Sequence, residues 1–286
     1  VNTPGYAERR ALLTTITGAQ NNMYPGLGRG VEMAGVQRLA DRLLDAQIDV
    51  ETGQLGREQV LSDTLARVEN VVATSSGKGF SNALNELFDS FSDLAADPSA
   101  DTPRQAVIAA GEALCDQVRQ VREQLQNQFA RNDAEVGQLA SEVNSLAEKV
   151  AALNRSVGAS GGAESAPDII DERTVVLTEL ARLAGAVSAV REDGTVDVFI
   201  GGHPLVQGDL AQKLTAIPDG GTPPMTTVQF KGLTPPDGLG GELQGALDAR
   251  DLVLKPALAA MDTFVKDLSD SINALHSTGF ALDGVT

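Results

Sequence analysis

The 286-residue sequence has no tryptophan, two tyrosines, two histidines and a single cysteine. Each scarcity excludes some chemistry. Aromatic residues make up 3% of the chain while hydrophobic residues reach 42%. A core must therefore come from Leu, Val, Ile and Ala, whose compact side chains mesh well between helices. With Cys115 alone, neither an intrachain disulfide nor a thiol-rich metal site can form. Its neighbours Ala113, Leu114 and Val118 predict a helix position near the core and a buried, inert thiol. His203 and His276 have no cysteine or second histidine at ligand spacing, so no metal site is expected. No apolar run attains the ~18 residues of a membrane helix, and no charged-then-apolar leader opens the chain. The start at Val1-Asn2, without Met, suggests a truncated or processed terminus. Positive charge is also short: 22 Lys and Arg against 39 Asp and Glu give a net charge of −17. That balance repels a phosphate backbone and an anionic bilayer, so neither nucleic acid nor membrane is expected as a partner.

What the sequence does have is helical periodicity. Val36 through Ile48 reads as a helix, with Val36, Leu39, Leu43 and Ile48 roughly on one side. Residues 57–97 read as two helices. Leu61, Leu65 and Val68 mark the first; Leu84, Leu87, Phe88, Phe91 and Leu94 mark the second. Ser75 to Gly79 interrupts them, and Asp97-Pro98-Ser99 ends the second.

The clearest element starts at Asp101-Thr102-Pro103, a capping candidate with Pro in the first turn. From Val107 the apolar positions run Gly111, Leu114, Val118, Val121, Leu125, Phe129, Asn132, Val136, Leu139, Val143, Leu146, Val150, Leu153 and Val157. Steps of three and four define a heptad seam, with one stutter at Val121–Leu125–Phe129. A helix over 103–157 would be about 80 Å long and needs partner helices along its length. Asn132 falls on the seam, either as a tolerated polar residue or as a register pin with a polar partner across it.

Gly158 to Ala166 reads as a loop, and helix resumes at Pro167-Asp168. Asp193-Gly194 then has a hairpin signature. A two-residue turn there would place Val187 opposite Ile200, Ala189 opposite Val198, and Arg191 opposite Val196. Residues 201–238 are rich in Gly and Pro, with a short strand candidate at Thr226–Lys231. Helix returns at Gly241, with Leu254, Leu258, Met261, Val265, Leu268, Ile272 and Leu275 as a second heptad seam antiparallel to the first. Pro256 marks the start of that helix or a kink in it. The expected fold is mainly α: an elongated antiparallel helical bundle or coiled coil with a small β-hairpin region. Residues 1–50 would form a connecting segment, 51–190 and 239–286 the bundle, and 191–238 the β region.

Catalytic patterns are weak. Gly26-Leu27-Gly28-Arg29-Gly30 follows no clear strand of a βαβ unit and reads as a turn. Ser76-Gly77-Lys78-Gly79 has the wrong spacing for a phosphate loop. The glycine-rich run at 158–162 lacks a strand-to-helix elbow. No catalytic, cofactor-binding or metal-binding residue is assigned, and no enzyme activity is expected.

Several motifs together resemble one family. Asn2-Thr3-Pro4-Gly5-Tyr6 with Arg9 is similar to a segment of flagellar rod, hook and hook-associated proteins. Gly26, Gly28, Gly30 and Val31, then Arg38 and Asp41, narrow the resemblance to the hook-associated protein 1 family, the hook–filament junction proteins. So do Ile169-Ile170-Asp171-Glu172-Arg173 and Asp193-Gly194-Thr195-Val196-Asp197-Val198 with Gly201, Leu205, Val206 and Gly208. Gly241, Leu243, Gly245, Arg250-Asp251, Ile272-Asn273, His276 and Gly279 complete the order.

The resemblance implies a structural protein outside the cell, in the bacterial flagellum. It would be exported by the flagellar type III route without a cleavable signal peptide. Its partners would be copies of itself in a ring, the hook protein, the second junction protein, and an export chaperone acting through a terminus. Members carry further terminal helices, so this chain is expected to be an outer-domain fragment.

Overall fold

The structure is a computed structural model that describes residues 8–16, 30–39, 42–72, 79–162, 165–221, 224–232 and 237–279. The described residues are mainly helical, with small antiparallel sheets. The chain divides into two compact units: Val1–Gln59 with Val136–Gly245, and Val60–Glu135 with Ala246–Thr286.

The first unit begins with a hairpin of β1 (Glu8–Thr15) and β2 (Val31–Leu39), with a register irregularity between Leu12 and Leu13. The helix expected from Val36 to Ile48 is therefore corrected: Val36 to Leu39 is strand, and α1 (Arg42–Val72) starts later. Backbone pairing of Val36 with Ala11 and of Leu39 with Glu8 overrides local propensity here. The turn expected at Thr3-Pro4-Gly5 and most of the 25–30 stretch lie outside the described residues.

The same unit contains the C-terminal part of α3 (Asp101–Ala159), then α4 (Pro167–Ala184). Pro167 lies in the first turn of α4, and Gly185 closes it in the left-handed conformation. Along α3 the seam is as expected at Val136, Val143, Val150 and Val157, each fully buried. Between them, however, Ala140, Ala147 and Asn154 are buried, while Leu146 and Leu153 are half-buried flankers. Small residues there let neighbouring chain approach the helix axis.

A four-stranded sheet, ordered β3-β4-β5-β6, uses Val187–Val190, Val196–Ile200, His203–Gln207 and Leu210–Ala211. A separate pair joins β7 (Thr215–Pro218) to β8 (Thr226–Gln229), the latter within the strand candidate at Thr226–Lys231. Val196, Val198 and Ile200 all point into the core.

The hairpin register differs from expectation by one residue: Val187 faces Phe199, Ser188 faces Val198, and Val190 faces Val196. The loop holds three residues, not two. Arg191 N–H donates to Thr195 O at 2.8 Å, and Gly194 adopts φ 81°. Asp193 Oδ1 accepts from both Thr195 N–H (2.9 Å) and Thr195 Oγ1 (2.6 Å), which stabilises the longer turn. The same bonds hold the Asp193 carboxyl below the usual range.

The second unit is helical: the rest of α1, α2 (Phe80–Ala96), the first part of α3, and a returning helix. That helix has three parts, α5 (Gly241–Asp248), of which Gly241–Gly245 belong to the first unit, a π-helical turn (Ala249–Leu254) and α6 (Lys255–His276). Pro256 sits in the first turn of α6. Proline cannot donate to the carbonyl four residues back and crowds it, and the widened turn immediately before it accommodates that loss.

Two apolar clusters make the core of this unit. Ala83, Leu87 and Leu114 gather Leu84, Phe91, Val107, Leu268 and Ile272 around them. Val121, Leu125 and Met261 gather Val68, Val71 and Leu258. Phe80 and Phe264 meet edge to face at 5.2 Å. Some expected stripe members turn outward: Leu65 is 47% exposed, Phe88 51% and Leu275 76%. On α1 it is Thr64, not Leu65, that is buried. Cys115 is also corrected. It lies one position beyond buried Leu114 on the solvent side, and its thiol is exposed and free.

Candidate functional site

Among the described residues, no group of three or more His, Cys, Asp and Glu side chains gathers as a metal site. His203 lies on β5 with its ring 6.3 Å from Phe230, and His276 ends α6. The Gly26–Gly30 run before its last residue, and Ser76-Gly77-Lys78, lie outside the described residues. Gly158 ends within α3 and Gly161 and Gly162 form its following turn, so that run is a helix terminus. The distinctive polar chemistry of the first unit lies in buried hydrogen-bonded clamps between helix and strand.

Asn154 on α3 is the most connected. It is 1% exposed. Its Nδ2 donates to Val196 O at 2.8 Å and to Gly208 O at 2.5 Å. Its Oδ1 accepts from Val196 N–H at 3.1 Å and from Arg173 Nη1 at 2.9 Å. A primary amide has two donors and an acceptor oxygen with two lone pairs, so the side chain is fully satisfied. One residue thereby ties α3 to α4, to β4 and to the turn after β5. Asn144, on the same helix, repeats the device. Its Nδ2 donates to Leu214 O and its Oδ1 accepts from Leu214 N–H, both at 2.8 Å. The amide imitates one rung of a β-ladder and holds an irregular segment against the helix.

Ionic clamps supplement the amides. Arg9 on β1 donates to Asp168 Oδ1 at 2.7 Å and Asp171 Oδ2 at 2.6 Å on α4. Asp49 on α1 is buried and accepts from Thr178 Oγ1 at 3.1 Å. Burial raises the Asp49 pKa, the Thr178 bond partly opposes that, and nearby Asp45 adds to it. Arg182 on α4 bonds to Glu179 at 2.5 Å and to Glu242 on α5. The Arg182 bond is the main reason the Glu179 carboxyl sits below its ordinary range, against the opposing effect of burial.

The crossing of α1 over the end of α4 depends on glycine. A Cβ on Gly56 would lie 2.6 Å from Arg182 O, a backbone atom that cannot swing aside. Gly241, at φ 63°, both adopts the left-handed region and lies so near the backbone of Arg182 to Ala184 that a Cβ would meet it at 2.5 Å.

In the second unit, Arg250 is 3% exposed, and bonds to Asp133 Oδ1 and Asp251 Oδ2 at 2.8 Å. Burial pulls its pKa down, but the two carboxylates outweigh that and the guanidinium stays charged. Arg122 pairs with Asp262 at 2.7 Å on the surface. Asn132 lies in the seam at 5% exposure, and its Oδ1 has no hydrogen-bond partner among the described residues. The polar partner that a register pin would need does not reach that oxygen.

Many residues that carry the sequence resemblance occupy these clamps: Arg9, Asp171, Arg173, Asp193, Val196, Gly208, Gly241, Arg250 and Asp251. Asn144, Asn154 and Gly56 were not singled out from sequence. Two asparagines beside the apolar seam of α3 were the available signal.

Comparison with known proteins agrees. Residues 65–286 match the family model described as the flagellar hook-associated protein FlgK helical domain. Flagellar hook-associated protein 1 of Salmonella typhimurium is 28% identical over 299 aligned positions, covering 99% of this chain and 53% of the relative. The Escherichia coli protein of that name is 26% identical with the same coverage. That of Bacillus subtilis is 22% identical over 70% of this chain and 42% of its own length. The chain thus spans about half the length of the first two of these curated relatives. The solved structure of the flagellar hook junction protein FlgK from Burkholderia pseudomallei shares the fold. It has a TM-score of 0.58 and 22% identity, covering 73% of this chain and 39% of that one. With a domain match over most of its length and polar clamps where the sequence motifs fall, the chain belongs to the flagellar hook-associated protein FlgK family of structural flagellar proteins.

Proposed function

We propose that this chain is the helical scaffold of a protein that joins the flagellar hook to the filament. The observation that carries the reading is the domain match over residues 65–286, together with 99% coverage by hook-associated protein 1 relatives. The role is mechanical, not catalytic. Subunits form a ring that presents one surface to the hook protein and another to the second junction protein, after export by the flagellar type III route with a chaperone that binds a terminus. Many modest contacts, repeated by symmetry, make the assembly strong.

The chain has material for such contacts. Leu13, Val31 and Met33 on the hairpin and Leu43 and Leu55 on α1 are 58% to 80% exposed. Large exposed apolar side chains of this kind suit protein interfaces. In this reading residues 1–50 connect the bundle to the rest of the subunit, 51–190 and 239–286 form the bundle, and 191–238 form a β region braced on it. The protein works outside the cell; no helix among the described residues is long and apolar enough to cross a membrane.

Immunogold electron microscopy with antibodies raised to this chain tests the reading. Label confined to the boundary between hook and filament supports it. Label along the hook, along the filament, or away from flagella rejects it in favour of another axial role or a non-flagellar one.

A further inference from the structure

The core of the second unit is uneven. Val121, Leu125 and Met261 form an apolar cluster with Val68, Val71 and Leu258 packed against it. Further along the same seams the core turns polar. On α1 the next buried residue before Val68 is Thr64, 3% exposed; on α3 the next fully buried residue after Leu125 is Asn132, 5% exposed.

Val68 packs on the Val121–Leu125 cluster. Thr64 lies four residues, about 6 Å, before Val68 on α1, and Asn132 seven residues, about 10 Å, after Leu125 on α3. The returning helix is antiparallel to α3, since Arg250 bonds Asp133 while Asp262 bonds Arg122. Arg250 and the π turn Ala249–Leu254 therefore lie at the level of Asn132 and Asp133 on α3.

Thr64 Oγ1 and Asn132 Oδ1 are both buried without a hydrogen-bond partner among the described residues. A buried hydroxyl or amide without a partner forfeits its hydration and gains nothing in return. The returning helix has its irregular winding at the level of Asn132, where i to i−5 bonding replaces the tighter α pattern: Lys255 N–H reaches back to Arg250 O.

We propose that these buried polar positions are a built-in compliant point, at which the helical unit opens locally while its apolar clusters stay closed. Opening brings water to Thr64 Oγ1 and Asn132 Oδ1 and so relieves the penalty that the closed state carries. The π turn supplies slack in the returning helix. The inference rests on the packing of the second unit and not on the junction reading.

Hydrogen exchange read by mass spectrometry on the intact chain tests it. Amides at 62–66 and 130–134 should exchange about tenfold faster than those at 118–125, the ratio expected from one unsatisfied buried group. Thr64→Val with Asn132→Leu removes both unpartnered atoms at similar volume, and should slow exchange at 62–66 and 130–134 about tenfold while leaving 118–125 unchanged. Equal protection of these segments and 118–125 in the wild-type protein would overturn the proposal without need of any variant. So would a variant that raises the unfolding midpoint but slows exchange equally everywhere, because the penalty would then act globally and not as a local opening.

Discussion

Replacing Asn154 with Leu should be among the most damaging single changes that preserve core volume. The two side chains are similar in size, so cavity formation contributes little and the loss is polar. The substitution deletes four hydrogen bonds. Val196 loses its partner at both N–H and C=O, in a site that is 1% exposed. A buried neutral group left unsatisfied costs about 1–3 kcal/mol. Gly208 O is only partly buried and recovers water, so its share is smaller. The net cost is about 3–5 kcal/mol on that basis, which for a chain of this length lowers Tm by roughly 5–8 °C. Thermal and urea unfolding followed by far-UV circular dichroism, with Ser145→Ala as an exposed control on the same helix, provides the assay. The loss should appear as a lower urea midpoint at unchanged slope. A loss under about 1 kcal/mol would refute the reasoning, since it would mean that β4 and the turn after β5 do not depend on the α3 amide.

Other outcomes follow from the same geometry. Gly56→Ala gains helix propensity but drives a Cβ to 2.6 Å from Arg182 O, so it should be net destabilising by about 1–2 kcal/mol. Gly111→Ala has open space around its Cβ and should stabilise by about 0.5–1 kcal/mol, so paired melting curves separate packing from propensity. Leu125→Ala, at a site 1% exposed, should cost about 2–5 kcal/mol in urea unfolding. The Asp49 pKa is raised in the fold, so the native state holds its proton longer than the unfolded chain does. Its contribution is most favourable when protonated, and falls as pH rises from the ordinary carboxylate range through the raised value. Asp49→Asn, which can still accept from Thr178, should therefore be more stable than wild type at neutral pH and close to it at about pH 3; stability titrated against pH reads this directly.

The helices were legible in the sequence because α-helical periodicity is local. Val136, Val143, Val150 and Val157 recur at sevens, and a straight helix places them on one face. Asp97-Pro98-Ser99 and Pro167 act within a turn of where they stand. What was not legible depended on distance or on one-residue choices. The β1–β2 hairpin is formed by pairing across an intervening segment, which no window of sequence reports. The β3–β4 register turned on whether the loop had two residues or three, and the Asp193 bonds to Thr195 decided that. Adjacent candidates such as Thr64 and Leu65 lie 100° apart on a helix, and only the directions of the partner helices select the polar one for burial. The role of Asn154 was hidden because its strand partners are backbone atoms 42 and 54 positions away. The motif residues were visible as a resemblance, while their clamping function was not.

Deleting the full-length gene in its source cell and examining the flagella by electron microscopy tests the junction role most directly. Hooks without filaments, with filament protein released to the medium and restored by the intact gene, are predicted. Normal filaments on the deletion strain would contradict that role.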